Sequence, residues 1–245
     1  MIDRSFAKEA LAKFVGCDSD EWAAGNSASP SVWLFGIEHG TYKSKHESST
    51  EITEDDGYSV PIQLRWPYNQ RAFKLLAAMN GYGTEEFLRF AEEHQPFVKG
   101  RTGYFKGNLY PFACHDVGSW PEDAARETGT TDKGEYRRWC QEHRLPAIKN
   151  WVDEYQPIIF IGVGISCRTD FSIAVFGEAV ELNEKVITVK NHNKRIFYLT
   201  RGWRKLVVIP HFSGPYGLNS NESLQKTGEF IGEMMRSKQH LTPHA

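Results

Sequence analysis

Four stretches of this chain carry side chains suited to proton handling, charge stabilisation or hydrogen-bond reading. In Gly36-Ile37-Glu38-His39-Gly40 an apolar run ends in a carboxylate and an imidazole, with a glycine on each side that lets backbone and ligand approach closely. Asn108 ends the strand-like "YFKGN". Its carboxamide suits an Asx turn, and it also presents a donor and an acceptor together, as reading a base edge requires. His211 ends "VVIPH" and leads into a loop with Ser213, Gly214, Pro215, Gly217 and Leu218. A carboxylate and an imidazole at two strand ends suit general acid–base or charge-stabilising work. The fourth stretch, 190–205, holds Lys190, Lys194, Arg195, Arg201, Arg204 and Lys205 with no acid among them, and Phe197, Tyr198 and Trp203 interleaved. It reads equally as a solvated hairpin and as a phosphate-contacting face.

Two other motifs carry less. Gly162-Val163-Gly164 follows an apolar run, but Cys167 stands at the third glycine position of a dinucleotide fingerprint, and the next run, "KVITVK", does not end in an acid. Cys114-His115-Asp116 puts metal-ligand types in a row, yet adjacent residues rarely hold one ion. Neither a cofactor nor a metal is expected. Cys17, Cys114, Cys140 and Cys167 are too scattered for a disulfide frame or a zinc site and read as reduced, mostly buried thiols.

The elements that must position these residues follow from hydrophobic pattern. "SVWLFGI" (31–37), "PIIFIGVG" (157–164) and "KLVVIP" (205–210) are short, apolar and non-alternating, as in strands covered on both faces. Helical periods lie between them. Residues 3–15 place Phe6, Ala10, Leu11 and Phe14 on one face, and "NQRAFKLLAAMNG" stops at Gly81. "TEEFLRFAEEH" starts at Thr84, 135–155 reads as two helical pieces broken near Pro146, and a last helix begins near Ser220, capped by Asn219 with Glu222 reaching back. Strands alternating with helices predict a three-layer α/β/α fold on a central, largely parallel sheet, one domain over 1–245. Residues 41–57 are polar and aperiodic and read as a loop after the first strand, where parallel sheets bind ligands.

Bulk properties bound the function. A net charge of −2 leaves no global basic field, so a nucleic-acid partner would need a local patch. The longest apolar run, "IIFIGVGI", is too short to cross a bilayer, and the amino-terminal stretch lacks a secretory core. A soluble, cytoplasmic protein without a membrane partner is expected.

In order and spacing, the segments over about 30–235 resemble the uracil-DNA glycosylase superfamily, closest to its mismatch-specific and single-strand-selective branches. Gly36-Ile37-Glu38-His39-Gly40 stands where that superfamily has GQDPYH or GINPG, and Glu38 falls at the acid or amide that handles the water and the sugar cation. "WPYNQRAFKLLAAMNGYG" is similar to the P-x-N stretch and helix, with Pro67 and Asn69 in place. Asn108 resembles the base-reading Asn, "DEYQPIIFIGVGI" the central strand, and "PHFSGPYGLNS" the HPS loop, with His211 at the base carbonyl. His39 stands where the motif has proline, and Phe212 where the histidine loop does.

The resemblance implies a monomeric DNA N-glycosylase, needing no cofactor, that flips out a deaminated or damaged base such as uracil. It implies Glu38 and His211 as catalytic, and Trp66 stacking on the base with Tyr68 or Tyr58 as substitutes. Asn108, Gly36, His39 and Asn69 would line the base site. Ser213, Lys194, Arg195, Arg201, Arg204 and Lys205 would hold phosphates, and Leu218 would wedge into the stack. The departures leave open an inactive member that binds nucleic acid or a nucleotide as a regulatory module. A Rossmann-type oxidoreductase would rest only on Gly162 and Gly164.

Overall fold

The computed structural model describes residues 2–40, 58–114 and 118–237. The expected loop at 41–57, together with His115 and Asp116, lies outside the described residues.

The elements run α1 (Arg4–Ala10), α2 (Glu21–Ala24), β1 (Val32–Gly36), α3 (Val60–Gln63), α4 (Pro67–Met79), a 3-10 turn (Thr84–Glu86), α5 (Phe87–His94) and β2 (Tyr104–Asn108). They continue as α6 (Glu122–Thr128), α7 (Lys133–Trp139), a π-helical stretch (Cys140–Arg144), α8 (Leu145–Tyr155), β3 (Ile159–Val163), a 3-10 turn (Ile165–Cys167) and α9 (Arg168–Phe176). β4 (Asn183–Val189), β5 (His192–Arg201), β6 (Arg204–Ile209) and α10 (Asn221–Arg236) complete them.

One six-stranded sheet has the order β2-β1-β3-β6-β5-β4. The first four strands are mutually parallel, and β5 and β4 extend the sheet antiparallel. Non-alternating strand sequences are explained by burial on both faces. Val32, Leu34, Ile159, Ile161, Val207 and Ile209 pack toward α4, α5 and α10. Trp33, Phe35, Phe160, Leu206 and Val208 pack toward α8 and α9. This is the three-layer α/β fold that the alternation of strands and helices predicts. Among the described residues, no helix is long and apolar enough to cross a membrane.

Four expected boundaries shift. The first helix ends at Ala10, and Leu11 is exposed, because the chain continues in successive turns to Cys17. Thr84 is buried inside the 3-10 turn, whose amino end is closed by the Gly83 N–H donating to Glu86 Oε2 at 2.9 Å. No break occurs at Pro146. Residues 133–155 are helical throughout, with a π-helical stretch at Cys140–Arg144 and Pro146 in the first turn of α8, where its missing N–H costs little. The cap of α10 is Ser220 paired with Ser223, in place of Asn219 and Glu222. Gly162 also gains a packing reason, since a Cβ there would lie 2.6 Å from the Phe171 ring of α9.

Candidate functional site

β1, β2, β3 and β6 are parallel neighbours, so their carboxyl ends form one rim. The β1 end gives Gly36 to Gly40, the β2 end Asn108, and the β6 end His211. Sequence-distant segments are thus delivered to one edge, where open parallel sheets bind ligands.

At the β2 end of the rim lies a buried charge cluster. Lys106 and Asn108 follow Tyr104 at alternate positions of β2, which puts all three on the α4 face. The Lys106 ammonium donates to Asn69 Oδ1 at 2.8 Å and to the Tyr58 hydroxyl at 3.0 Å, and is ion-paired with Asp18 Oδ2 at 2.9 Å. It also lies 5.2 Å from the Tyr68 ring centroid. Burial alone would lower the pKa of Lys106, but Asp18 and the two phenols outweigh it and hold the pKa above its ordinary value. Asn69 also donates to Tyr58 Oη and to the Gln63 carbonyl, which engages its amide on three sides. It therefore fastens α4 to β2, and a direct base contact by Asn69 is not what the geometry provides.

Gly36 is required by close approach. A Cβ at that position would stand 2.5 Å from Asn108 Oδ1 and 3.4 Å from the Tyr68 hydroxyl. The Asn108 amide donates to the Gly16 carbonyl at 3.1 Å, and the residue is 6% exposed. The Tyr68 hydroxyl is buried and makes no hydrogen bond among the described residues, and burial raises its pKa, so it stays protonated. Trp66 is half-buried at the N-cap of α4, with its ring 6.3 Å from that of Tyr58.

Glu38 and His211 share the rim but lean on opposite layers. The Glu38 carboxylate meets Lys133 of α7 at 3.0 Å, with side-chain exposures of 5% and 10%. His39 Nε2 lies 3.8 Å from Asp18 Oδ1, and its carbonyl accepts from Cys114 N–H. The His211 ring packs 5.9 Å from that of Tyr68 on α4, and the neighbouring Phe212 ring is 5.0 Å from it. The Ser213 backbone N–H donates to His211 Nδ1 at 3.2 Å, and the Ser213 hydroxyl lies 2.7 Å from the same atom. An Nδ1 that accepts places the ring proton on Nε2. Burial, and secondarily the Arg71 charge, lower the pKa of His211 and favour this neutral form.

Several expected contacts are corrected. Ser213 spends its hydroxyl proton on His211, so it has no proton for a phosphate. Leu218 is fully buried in the core, and Tyr216 is the exposed large side chain of that loop, so Leu218 is no wedge. The basic 190–205 segment is a paired hairpin. Arg195 grips both oxygens of Glu184 at 2.7 Å, Arg201 meets Glu178 at 3.0 Å, and Arg204 is paired with Asp153. Lys205 donates to the carbonyls of Met234, Met235 and Ser237 at the carboxyl end of α10, where a cation complements the helix dipole. Lys194 is buried. Arg201, Arg204 and Lys205 also occupy the opposite edge of the sheet, where β5 turns into β6. The acids that neutralise these cations come from other parts of the chain.

Two recesses lie elsewhere. One of about 640 Å³ is bounded by Arg168, Leu182, Glu184 and Phe197, and another of about 490 Å³ by Thr84, Asn221 and Gln225. Neither includes Glu38, Asn108 or His211. Among the described residues, no group of three or more His, Cys, Asp or Glu side chains converges as a metal site. The four cysteines are free. Sequence reasoning missed Asp18, Lys106, Lys133 and Arg71. Of these, Lys106 had a usable signal: an ammonium two residues before Asn108, on the same face of an apolar strand.

Compared with protein-family models and with curated proteins, the chain matches none.

Proposed function

We propose that the protein is a cytoplasmic DNA N-glycosylase that extrudes a deaminated or damaged base and hydrolyses its glycosidic bond. The observation that carries this reading is the delivery of Glu38, Asn108 and His211, from three separate strands, to one rim of a parallel sheet. In this reading the His211 Nε2–H faces charge developing on the leaving base. A donor already oriented costs no reorganisation when that charge appears. Glu38 stabilises the sugar cation and orients water, with Lys133 fixing its carboxylate. Asn108 Oδ1 accepts from the base, and Trp66 at the head of α4 stacks on it.

The test uses single- and double-stranded oligonucleotides bearing uracil, hypoxanthine or xanthine, followed by alkaline cleavage of abasic sites. Scission on at least one is expected, with Glu38→Ala abolishing it while binding persists. No scission on any of them at enzyme excess overturns the catalytic reading. Scission by Glu38→Ala at the wild-type rate removes Glu38 from the mechanism.

A second reading has its own support. Lys133 already balances the Glu38 charge, and the Asn108 amide already holds the Gly16 carbonyl. Both favour a rim that binds nucleic acid or a nucleotide without chemistry. Salt-dependent DNA binding with no abasic product selects this reading.

A further inference from the structure

With Arg195, Arg201 and Arg204 paired to carboxylates, cations elsewhere on the molecule are better placed to meet a DNA backbone. Arg71 lies one turn after Tyr68 on α4, and the i, i+3 spacing places it on the face that packs His211. Its guanidinium engages no carboxylate or other acceptor among the described residues, unlike Arg195, Arg201 and Arg204. The next cation on that helix, Lys74, is already committed to Asn221 Oδ1 at 2.9 Å.

The loop after His211 supplies a second feature. It is closed by Leu218 N–H donating to the His211 carbonyl at 2.9 Å and by Gly217 N–H donating to Gly214 O at 3.2 Å. A Cβ on Gly217 would collide with the Ser213 and His211 carbonyls, so the loop is tightly wound. At its crest Tyr216 is 88% exposed. An aromatic ring held in water on a closed loop is a ready surface for stacking any base, and a guanidinium without a partner suits a phosphate.

We propose that Arg71 and Tyr216 form the strand grip of the rim, in which Arg71 takes a backbone phosphate and Tyr216 stacks on a neighbouring base of single-stranded DNA. This rests on the nucleic-acid reading of the rim but not on catalysis. The phosphate could belong to a polynucleotide or to a free nucleotide, and the two are separated by competition.

The experiment is fluorescence anisotropy of a labelled, undamaged single-stranded oligonucleotide titrated with protein over a series of KCl concentrations. Arg71→Ala is expected to weaken binding and to flatten the slope of log K against log salt by about 0.7. Arg71→Lys should restore most of that slope. Tyr216→Ala should weaken binding several-fold with the slope unchanged. Arg195→Ala, which removes the same charge from the hairpin, should leave both readings at wild type. An unchanged slope in Arg71→Ala, or an equal loss in Arg195→Ala, overturns the role of Arg71. Undiminished binding by Tyr216→Ala overturns that of Tyr216. Full displacement of the oligonucleotide by equimolar deoxyuridine monophosphate would identify a nucleotide site and overturn the strand grip. Base excision that is intact beside an unchanged slope refutes the grip alone. A slope that responds to Arg71 in a protein that excises nothing refutes the glycosylase alone.

Discussion

At the β2 end of the sheet, the Lys106 ammonium lies 2.9 Å from Asp18, with side-chain exposures of 11% and 16%. At the β4–β5 end, Arg195 grips Glu184 at 2.7 Å, with exposures of 58% and 36%. In sequence the second region reads equally as a solvated hairpin and as a phosphate-contacting face, because its cations are clustered with no acid among them. In the fold its three arginines are each paired with a carboxylate. A lone lysine in an apolar strand instead anchors the rim that collects Glu38, Asn108 and His211. Local charge density says little until the carboxylates folded back onto it are counted. A single buried charge always has to be answered by its surroundings.

The sharpest way to break this comparison is Lys106→Ala. It leaves Asp18, Asn69 and Tyr58 facing a buried void, so a loss of about 3–5 kcal/mol is expected in urea unfolding. A loss under about 1 kcal/mol would mean that the cluster is not the anchor described. Gly36→Ala comes next. Its methyl would press on Asn108 Oδ1, costing about 1–3 kcal/mol by the same measurement and displacing the amide from the rim. Base excision should fall with it. Unchanged stability and activity would show that Asn108 has room to retreat.

Arg195→Ala should cost no more than about 1 kcal/mol, with most of the difference gone in high salt, as for exposed pairs. A larger effect would make the two ends alike. The smallest effect concerns His211, whose lowered pKa means the unfolded chain binds a proton that the folded chain refuses. The contribution of this group is therefore complete above about pH 6.5 and is lost as pH falls through the lowered folded value. Urea midpoints across that window should fall less steeply with acid in His211→Asn than in wild type. Equal slopes would show that the ring is not held neutral.

Much of the fold was legible because strands buried on both faces write continuous apolar runs, as in Val32–Gly36 and Ile159–Val163. The strand ends at Glu38, Asn108 and His211 were legible for the same reason, since each polar residue interrupts such a run. What escaped was contact between distant segments. Nothing near Glu38 announces Lys133, which arrives from α7, nor does anything near Lys106 announce Asp18. Leu218 looked available because it follows glycine in a loop, yet it is drawn into the core while Tyr216 stays out. The caps moved by one residue: Ser220 and Ser223 bond each other, while Asn219 donates to the Gly214 carbonyl and Glu222 accepts from Lys226.

The π-helical stretch between α7 and α8 sets an angular phase. Upstream of it, the helix presents Lys133 to the end of β1, and downstream it presents Ile148, Trp151 and Val152 to the core. One residue corresponds to about 100° of helical rotation. Excising a single residue from Cys140–Arg144 would force a choice between seating the downstream half and aiming the upstream lysine. That stretch works as a coupling collar, and the bearing of the strand-end carboxylate depends on how it is wound.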